Sequence, residues 1–307
     1  GLREVRWPHR LGVLGAGAAA AVLCAPVVGG VVGSGTVEVR VLDVGQGDAV
    51  AIRSPAGRWI LVDTGPEGFS DRPDPHALPL VRELGRAGVR RVEVLVLTHA
   101  HLDHIGGAPA VMATMGVAAV ADPGWPSGSD PYVDLLRSAA GSDVPWVALA
   151  AGDRLELDGV SLRVVYAGGE LPPDADPNAT SVVLLLHFGL FSALLTGDAP
   201  ASVEEELAGE VGPLDLLKVA HHGSRTSSSA AFLRQVHPGV AVISAGRRNR
   251  FGHPHPEVLE RLRRQSGSVF RTDRDGPVSV VGHRDGRWEV STGRGRRGRR
   301  GRRGSSD

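Results

Sequence analysis

The chain has almost no cysteine and almost no lysine: among its 307 residues, Cys24 and Lys218 are the sole examples of their types. A single cysteine excludes an intramolecular disulfide and any cysteine-rich zinc module. A metal site in this chain would therefore have to use histidine and carboxylate ligands. The chain contains 12 histidines and 34 acidic residues, so such a site is possible.

The sequence also has no net charge, because 34 basic side chains balance 34 acidic ones. The charges are spread unevenly: residues 291–307 contain seven arginines and one aspartate, and residues 1–10 are also net basic. The long segment between these ends is therefore acidic, which argues against a broad nucleic-acid groove. Any phosphate binding would have to come from local features.

Near the N-terminus, residues 11–33 contain no charged side chain and follow Arg3, Arg6 and Arg10. This length is enough to cross a bilayer, with the basic end in the cytoplasm and the rest outside. A cleaved signal peptide and a buried core helix are the alternatives. We expect a basic segment and membrane span over residues 1–35, and a catalytic domain on the extracytoplasmic side of the cell membrane. Because the chain begins with Gly1, it could also be the C-terminal part of a larger channel protein.

At the other end, residues 291–307 are rich in glycine and arginine, and the segment from Gly293 onward has no apolar side chain. This composition predicts a disordered tail. Its arginines could contact DNA, RNA or anionic lipid, or the tail could simply be solvated.

Residues 36–290 have the pattern of one α/β domain rich in short apolar runs that end in Gly, Asp or His. Strands are expected at 36–45, 48–55, 58–65, 92–99, 181–189, 190–198, 214–222 and 238–246, and helices near 78–87, 132–140, 202–210, 230–236 and 256–264. The pair 181–198 has the pattern of a hairpin. Together these elements predict mixed sheets with helices on their outer faces.

Polar side chains follow several of these apolar runs, where such sheets collect functional sites. The residues are Asp63, His99, Asn178, Asp198 and the pair His221–His222. The stretch from His99 to His104 has the pattern H-x-H-x-D-H. Imidazole nitrogen and carboxylate oxygen suit zinc, iron and manganese.

The spacing within this motif predicts two ions. His99 and His101 lie on one side of a turn and can bind one ion, whereas Asp103 and His104 belong to the next turn and point at a second position. Asp198 can bridge, because each of its two oxygens can bind one ion. Two divalent ions a few ångströms apart activate water for hydrolysis, so the motif predicts a hydrolase.

Four motifs resemble, in order and spacing, those of the metallo-β-lactamase superfamily: LVDTG (61–65), THAHLDHIGG (98–107), LLTGD (194–198) and HHGS (221–224). Three longer stretches resemble the C-terminal catalytic domain of ComEC-type competence proteins, which act in DNA uptake: VLDVGQGDA (41–49), LLKVAHHGSRTSSSAAFL (216–233) and ISAGRRNRFGHPHPEVLERL (243–262). The resemblance covers roughly residues 36–282. It implies an αββα sandwich, with two mixed sheets flanked by helices and the metals in the cleft between the sheets.

The resemblance also implies the ligands: His99, His101, Asp103, His104, Asp198 and one histidine of the pair 221–222, with Asp63 supporting the loop. Neighbours on a strand point to opposite faces, so we expect one of the pair to bind; His222 is favoured, and His221 would orient a ligand or touch substrate. The superfamily usually has a third histidine where this chain has Asn178. An amide oxygen is a poorer zinc ligand, so the His99/His101 ion would be weakly held, replaced by manganese, or brought by substrate. ComEC-type domains resemble this chain in having Asn there.

The substrate implied by the resemblance is DNA, cleaved on the strand that does not enter the cell. Asp103, Asp198 and His253 are the expected catalytic residues. We expect the remaining candidates to support the metals or contact substrate: Asp43, Gln46 and Asp48 near a glycine-rich turn, and Lys218, Ser224 and Arg225 at phosphate oxygens. Channel or competence proteins are the expected partners. The alternatives are a phosphodiesterase or esterase acting on phosphocholine or nucleotides, and an inactive DNA-binding or channel-assembly module.

Overall fold

The computed structural model describes residues 35–67, 75–125, 127–142, 144–169, 171, 175–295 and 301–302. The predicted membrane span therefore lies outside the described residues, as do 296–300 and 303–307 of the predicted tail. Within the described part of the chain, every helix is too short or too polar to cross a bilayer.

Two facing sheets form the centre of the described part of the chain. The strands of the first sheet are β1 (Thr36–Val41), β2 (Val50–Arg53), β3 (Trp59–Val62), β5 (Val94–Val96), β7 (Val120–Asp122), β8 (Trp146–Ala148), β16 (Val278–His283), β17 (Arg287–Thr292) and β18 (Gly301–Arg302). Those of the second are β9 (Arg154–Leu157), β10 (Val160–Ala167), β11 (Val182–Phe188), β12 (Phe191–Leu195), β13 (Leu216–Lys218), β14 (Val240–Ile243) and β15 (Ser268–Arg271). A separate two-stranded sheet joins β4 (Arg91–Val92) to β6 (Gly116–Val117).

Both sheets are mixed. The first runs in the order β18-β17-β16-β1-β2-β3-β5-β7-β8, and the second in the order β15-β14-β13-β12-β11-β10-β9. In the first, β3, β5, β7 and β8 are parallel; in the second, β12 to β15 are parallel. The predicted hairpin is present, since β11 and β12 pair antiparallel from Leu184–Leu195 to Phe188–Phe191.

Helices cover the outer faces: α1 (Pro79–Arg86), α2 (Leu102–Ile105), α3 (Ala108–Thr114), α4 (Asp130–Gly141), α5 (Ala201–Glu206), α6 (Ala230–Val236), α7 (Pro256–Gln265) and α8 (Thr272–Asp275). Apolar residues of α1, α3 and α4 pack on the first sheet, and those of α5, α6 and α7 on the second. The predicted αββα sandwich is thus confirmed.

The core between the sheets consists of the alternating inward residues of both. Val39 and Ile60 from one sheet and Leu184 and Phe191 from the other are at most 2% exposed. The sheets approach so closely at Gly282 that a Cβ there would lie 2.4 Å from the Phe191 ring. A tightly packed interior of this kind fixes the positions of the loops at the sheet edges.

The C-terminal segment differs from the sequence prediction where the structure describes it. Strand β17 continues to Thr292, and Gly301 and Arg302 pair with Arg287 and Trp288 as an added edge strand. A strand at the edge of a sheet exposes backbone groups with which a further strand can pair. Gly301 can approach because it has no Cβ: a Cβ there would lie 2.1 Å from the Trp288 ring.

Candidate metal centre

The carboxyl ends of parallel strands from both sheets meet at one edge of the sandwich, where α/β sheets commonly bind ligands. Asp63 follows β3, His99 follows β5, and Asp198 follows β12. A 3₁₀ turn after β13, Ala220–Gly223, adds His221 and His222. Five segments that are distant in sequence, including the loop that contains Asp48, thus contribute to one cleft.

Asp63 fixes the orientation of the H-x-H-x-D-H loop. Its Oδ1 accepts a hydrogen bond from the Thr98 amide at 2.7 Å, and its Oδ2 accepts one from Thr98 Oγ1 at 2.8 Å. His104 Nδ1 lies 2.8 Å from the same Oδ2. Because a carboxylate only accepts, we assign the proton to Nδ1 of His104, which leaves Nε2 as the metal-binding nitrogen.

His222 is oriented in the same way. Its Nδ1 lies 3.1 Å from the Ser244 carbonyl oxygen, which can only accept. Its Nε2 lies 3.3 Å from Asp103 Oδ2 and 3.6 Å from Asp198 Oδ2. His222 is 2% exposed, so this nitrogen points into the buried cleft.

Asp198 lies between the two groups of ligands. Its Oδ1 is 3.3 Å from His104 Nε2, and its Oδ2 is 3.6 Å from His222 Nε2. The carboxylate is 2% exposed, and its backbone amide donates to Ser181 Oγ at 3.2 Å. Its two oxygens therefore face different histidines, as a bridging ligand requires.

The ligand atoms converge closely enough to share ions. Four sets of three residues each offer ligand atoms within 4.8 Å of one another: His99, His104 and Asp198; Asp103, His104 and His222; Asp48, Asp198 and His222; and Asp48, Asp63 and His104. Buried atoms without a hydrogen-bond partner include His104 Nε2, His222 Nε2, Asp198 Oδ1 and Asp48 Oδ1. Such atoms are costly to bury unless something satisfies them. Divalent cations would do so, and the residues present therefore fit a metal.

The electrostatics keep the carboxylates ionised. Burial opposes ionisation of Asp198, but the nearby His104 and His222 outweigh it and hold its pKa well below the usual range. For Asp103, burial is likewise outweighed by the contact with His222 and by the nearby His104, and its pKa falls to about 2. Burial lowers the pKa of His99 well below its usual range, so this imidazole is neutral.

His222 carries a proton in the ion-free cleft. Burial would lower its pKa, but Asp198 and Asp48 raise it to about 10. A cation entering the cleft must displace this proton, since imidazole binds metal in its neutral form.

His101 lies next to His99, its predicted partner at one ion. Its Nδ1 lies 3.0 Å from His99 Nε2, so the two rings contact each other directly. His101 belongs to none of the four described ligand sets, whereas His104 joins His99 and Asp198. His101 directly precedes α2 and is half-buried, whereas His104 lies within α2 and is fully buried.

The pair His221–His222 does not lie on a strand, contrary to the sequence prediction, but in the turn that follows β13. Both residues have left-handed backbone angles, with φ of 48° and 54°, so both side chains project toward the cleft. They still differ in depth. His221 Nε2 is 3.8 Å from Asp198 Oδ2, its side chain is 22% exposed, and its Nδ1 lies 3.1 Å from Thr226 Oγ1.

Lys218 was expected at a substrate phosphate, but it is buried. Its side chain is 1% exposed, and its ammonium contacts Asp48 Oδ2 and the Gly197 carbonyl oxygen, the latter at 3.3 Å. Lys218 therefore positions Asp48, whose Oδ1 lies 3.4 Å from His222 Nδ1. The lysine and aspartate neutralise each other beside the ligands.

Asn178, Gln46 and Asp43 were also expected to support the site, and they differ in how deeply they are buried. Asn178 is 9% exposed, and its Oδ1 is buried without a hydrogen-bond partner. Gln46 Oε1 accepts from the Gly246 amide at 3.2 Å and so ties the first loop to the loop after β14. Asp43 is half-buried, and burial raises its pKa.

Ser224 and Arg225 also differ from the expected phosphate contacts. Ser224 is 6% exposed, and its Oγ accepts from Thr226 Oγ1 at 3.1 Å. Arg225 is exposed, and its guanidinium pairs with Glu257. The described side-chain contacts of Ser224 and Arg225 are thus with Thr226 and Glu257 and not with the ligand cluster.

His253 lies over the cleft from the loop before α7. Its ring stacks on His222 at a centroid distance of 6.2 Å and lies 5.6 Å from the His221 ring. Burial, together with the neighbouring His222, lowers its pKa to about 4. The imidazole is therefore neutral at pH 7, so it can orient a group or accept a proton.

Two residues that position ligands were not found from the sequence. Thr98 Oγ1 links Asp63 to His99 Nδ1, the latter at 3.1 Å. Ser244 Oγ donates to the Gly47 carbonyl at 2.6 Å, while its own carbonyl holds His222. The position of Thr98 directly before His99 was an available signal. Ser244 had none, because its role depends on contacts with distant segments.

The family model of the metallo-β-lactamase superfamily matches residues 42–247, and the chain belongs to this superfamily. Among curated relatives, ComE operon protein 3 of Bacillus subtilis (strain 168) is 34% identical over 253 residues, which are 78% of this chain and 32% of the relative. Competence protein ComA of Neisseria gonorrhoeae is 34% identical over 243 residues, 78% of this chain and 31% of the relative. The predicted resemblance to competence proteins is thus confirmed, and the chain spans about a third of these relatives.

Among solved structures, zinc-bound PqqB from Methylobacterium extorquens superimposes with a TM-score of 0.52. The match covers 76% of this chain and 97% of PqqB at 14% identity. At this identity the similarity establishes the fold. The chain is accordingly a metallo-β-lactamase-fold protein with a buried cluster suited to divalent metal, and this superfamily is one of metal-dependent hydrolases.

Proposed function

We propose that this protein is a metal-dependent nuclease that cleaves DNA phosphodiesters during DNA uptake, at the outer face of the cell membrane. The observation that carries the proposal is the arrangement of Asp198, whose Oδ1 lies 3.3 Å from His104 Nε2 and whose Oδ2 lies 3.6 Å from His222 Nε2. Residues His99, His101, Asp103, His104, Asp198 and His222 would hold one or two zinc or manganese ions. When bound, such ions activate water and stabilise the charge that develops on a phosphodiester.

The chain's own residues would position substrate and move protons. His253, neutral at pH 7 and facing both His221 and His222, would orient the substrate or accept a proton. His221 is the more exposed histidine of its pair and would contact the substrate. Asp63 and Ser244 keep the ligating nitrogens of His104 and His222 directed into the cleft.

A basic and aromatic rim beside His253 supports a nucleic-acid substrate. Arg248 and Arg250 are exposed, and Phe251 is 52% exposed. The Arg250 guanidinium lies 5.4 Å from the Phe251 ring centroid, and this ring stacks on His253 at 5.8 Å. Arginines bind backbone phosphates and exposed aromatic rings stack on bases of single strands. The relative named Competence protein ComA supports a role in DNA uptake.

The test is hydrolysis of labelled linear DNA by the purified full chain with Mn²⁺ or Zn²⁺, with and without chelator. Cleavage that requires metal supports the proposal. If the chain instead hydrolyses only bis(p-nitrophenyl) phosphate, the same cleft serves another phosphodiesterase. DNA binding with no hydrolysis of either substrate would indicate a non-catalytic module.

The proposed location is tested separately. A C-terminal epitope on the protein in intact spheroplasts should be removed by added protease. Protection of the epitope until the membrane is permeabilised would contradict placement of the catalytic domain outside the membrane.

A further inference from the structure

A cavity of about 160 Å³ adjoins the metal centre and shares His99 with it as a wall. The remaining lining includes Trp125, Pro123, Pro177, Tyr132 and Asp122. Pockets that enclose drug-sized ligands are roughly 300–1,000 Å³, so this one suits a single planar group. Its position beside His99 means that such a group can remain attached to a phosphate at the metals.

The cavity is suited to an uncharged ring. None of the described residues that line it is lysine or arginine, so it offers no cationic partner for a phosphate. Trp125 is half-buried and contributes an indole ring, and Pro123 and Pro177 add apolar surface. Base–aromatic stacking contributes substantially to the binding of single-stranded nucleic acids.

The hydrogen-bonding groups of the cavity mostly accept. Tyr132 Oη donates its proton to Asp122 Oδ2 at 2.5 Å, and Thr180 Oγ1 donates to the Pro177 carbonyl at 2.7 Å. Asp122 Oδ1 accepts from the Gly124 amide at 2.8 Å. A carboxylate has about four acceptor positions. Tyr132, the Gly124 amide and Trp146 donate to Asp122, which leaves one position for a donor from a ligand. A ligand that uses this position must present an N–H group or another donor.

We infer that this cavity binds a nucleobase with an exocyclic amino group, which lies against Trp125 while the adjoining phosphodiester lies at the metal centre. The inference rests on the proposed function and adds a specificity subsite to it. Cytosine, adenine and guanine have such an amino group, whereas thymine offers only N3–H, which lies between two carbonyl groups that a carboxylate would repel. Oligo-dC should accordingly be a better substrate than oligo-dT.

The experiment compares the full chain with its Trp125→Ala and Trp125→Phe variants. The substrates are a single-stranded oligo-dC and a matched oligonucleotide of abasic residues. In Trp125→Ala, the ratio of kcat/KM for oligo-dC to that for the abasic strand should fall roughly tenfold or more, mainly through KM, because one stacked base is lost. Trp125→Phe keeps a ring and should retain most of the ratio. An unaltered ratio in Trp125→Ala, or an equal loss on both substrates, would overturn the inference.

A binding measurement separates this inference from the proposed function. If the wild-type chain does not hydrolyse DNA at all, the nuclease proposal fails, and calorimetry with dCMP in the presence of Mn²⁺ then tests the cavity. Binding of dCMP that weakens roughly tenfold in Trp125→Ala supports the subsite. Absence of dCMP binding, or tighter binding of phosphocholine than of dCMP through Trp125, would show that the cavity does not accept a nucleobase.

Discussion

His104 and Asp198 face each other across the cleft, with His104 Nε2 3.3 Å from Asp198 Oδ1. The two residues come from different sheets of the sandwich, and each of these atoms is buried without a hydrogen-bond partner. Burial opposes protonation of His104, but the nearby Asp198 and Asp63 hold its pKa well above the ordinary value. A cation bound between these two atoms would therefore replace a proton of His104.

Asp198→Ala should abolish metal-dependent hydrolysis without unfolding the domain. The substitution removes the carboxylate that lies between His104 and His222, and it removes little apolar packing. Activity, bound metal by elemental analysis, and circular dichroism should be measured together. Asp134→Ala is the matched control, because the Asp134 side chain is 70% exposed and pairs with Arg137 on the surface. Near-normal turnover in Asp198→Ala would show that the ligand assignment is wrong.

Ion-free protein should lose stability as the pH rises from neutral toward 10. The pKa of His222 is raised from its ordinary value of 6.5 to about 10, because the attraction of Asp198 and Asp48 outweighs burial. A group whose pKa is higher in the folded than in the unfolded protein stabilises the fold. This contribution is complete at pH values below the pKa of the unfolded state, and it is lost as the pH rises through the pKa of the folded state. Thermal unfolding of chelator-treated protein between pH 6 and 10 measures the effect. In His222→Asn the decline should be smaller; an equal decline would assign it to other groups.

Lys218→Met should destabilise the chelator-treated protein by about 3–5 kcal/mol, because it leaves the buried Asp48 carboxylate without its cation. The double variant Lys218→Met/Asp48→Asn should recover much of this loss. Urea unfolding gives the free energies. The exposed pair Asp134–Arg137 provides the comparison. Arg137→Met should lower the free energy of unfolding by at most about 1 kcal/mol. If Lys218→Met were no more destabilising than Arg137→Met, the buried pair would not be a structural support.

Gly47→Ala should weaken metal binding. Gly47 has φ of 134°, and a Cβ there would lie 2.2 Å from the Asp103 carbonyl oxygen. Either the loop that contains Asp48 or the turn that contains Asp103 must then move, and we expect the metal affinity measured by competition with a chelator to fall by at least tenfold. Gly45→Ala is the control: its φ of 83° is also unfavourable, at a cost of roughly 1–2 kcal/mol, but a Cβ there meets nothing within 4 Å. Equal loss of affinity in both variants would contradict this explanation.

Much of the fold follows from local sequence pattern. Each expected strand and helix of residues 36–290 overlaps an observed element; the strands are shorter than expected, whereas helices α4 and α7 are slightly longer. Strands β10, β16 and β17 were not predicted, although their alternation of buried and partly exposed residues is regular. Several other short elements, such as α2 and β7, were not predicted, because three or four residues contain too few periods for a pattern to emerge.

The sequence by itself determined that histidines and carboxylates would gather at the strand ends, because the H-x-H-x-D-H motif and Asp198 directly follow apolar strands. The tertiary structure decided how they associate. It joined His104 with His99 and Asp198, buried Lys218 against Asp48, and turned both His221 and His222 toward the cleft. It also brought Trp125 and His99 together as lining residues of one cavity. Periodicity reports which face of one element is buried, but contacts between segments tens of residues apart depend on how the two sheets pack.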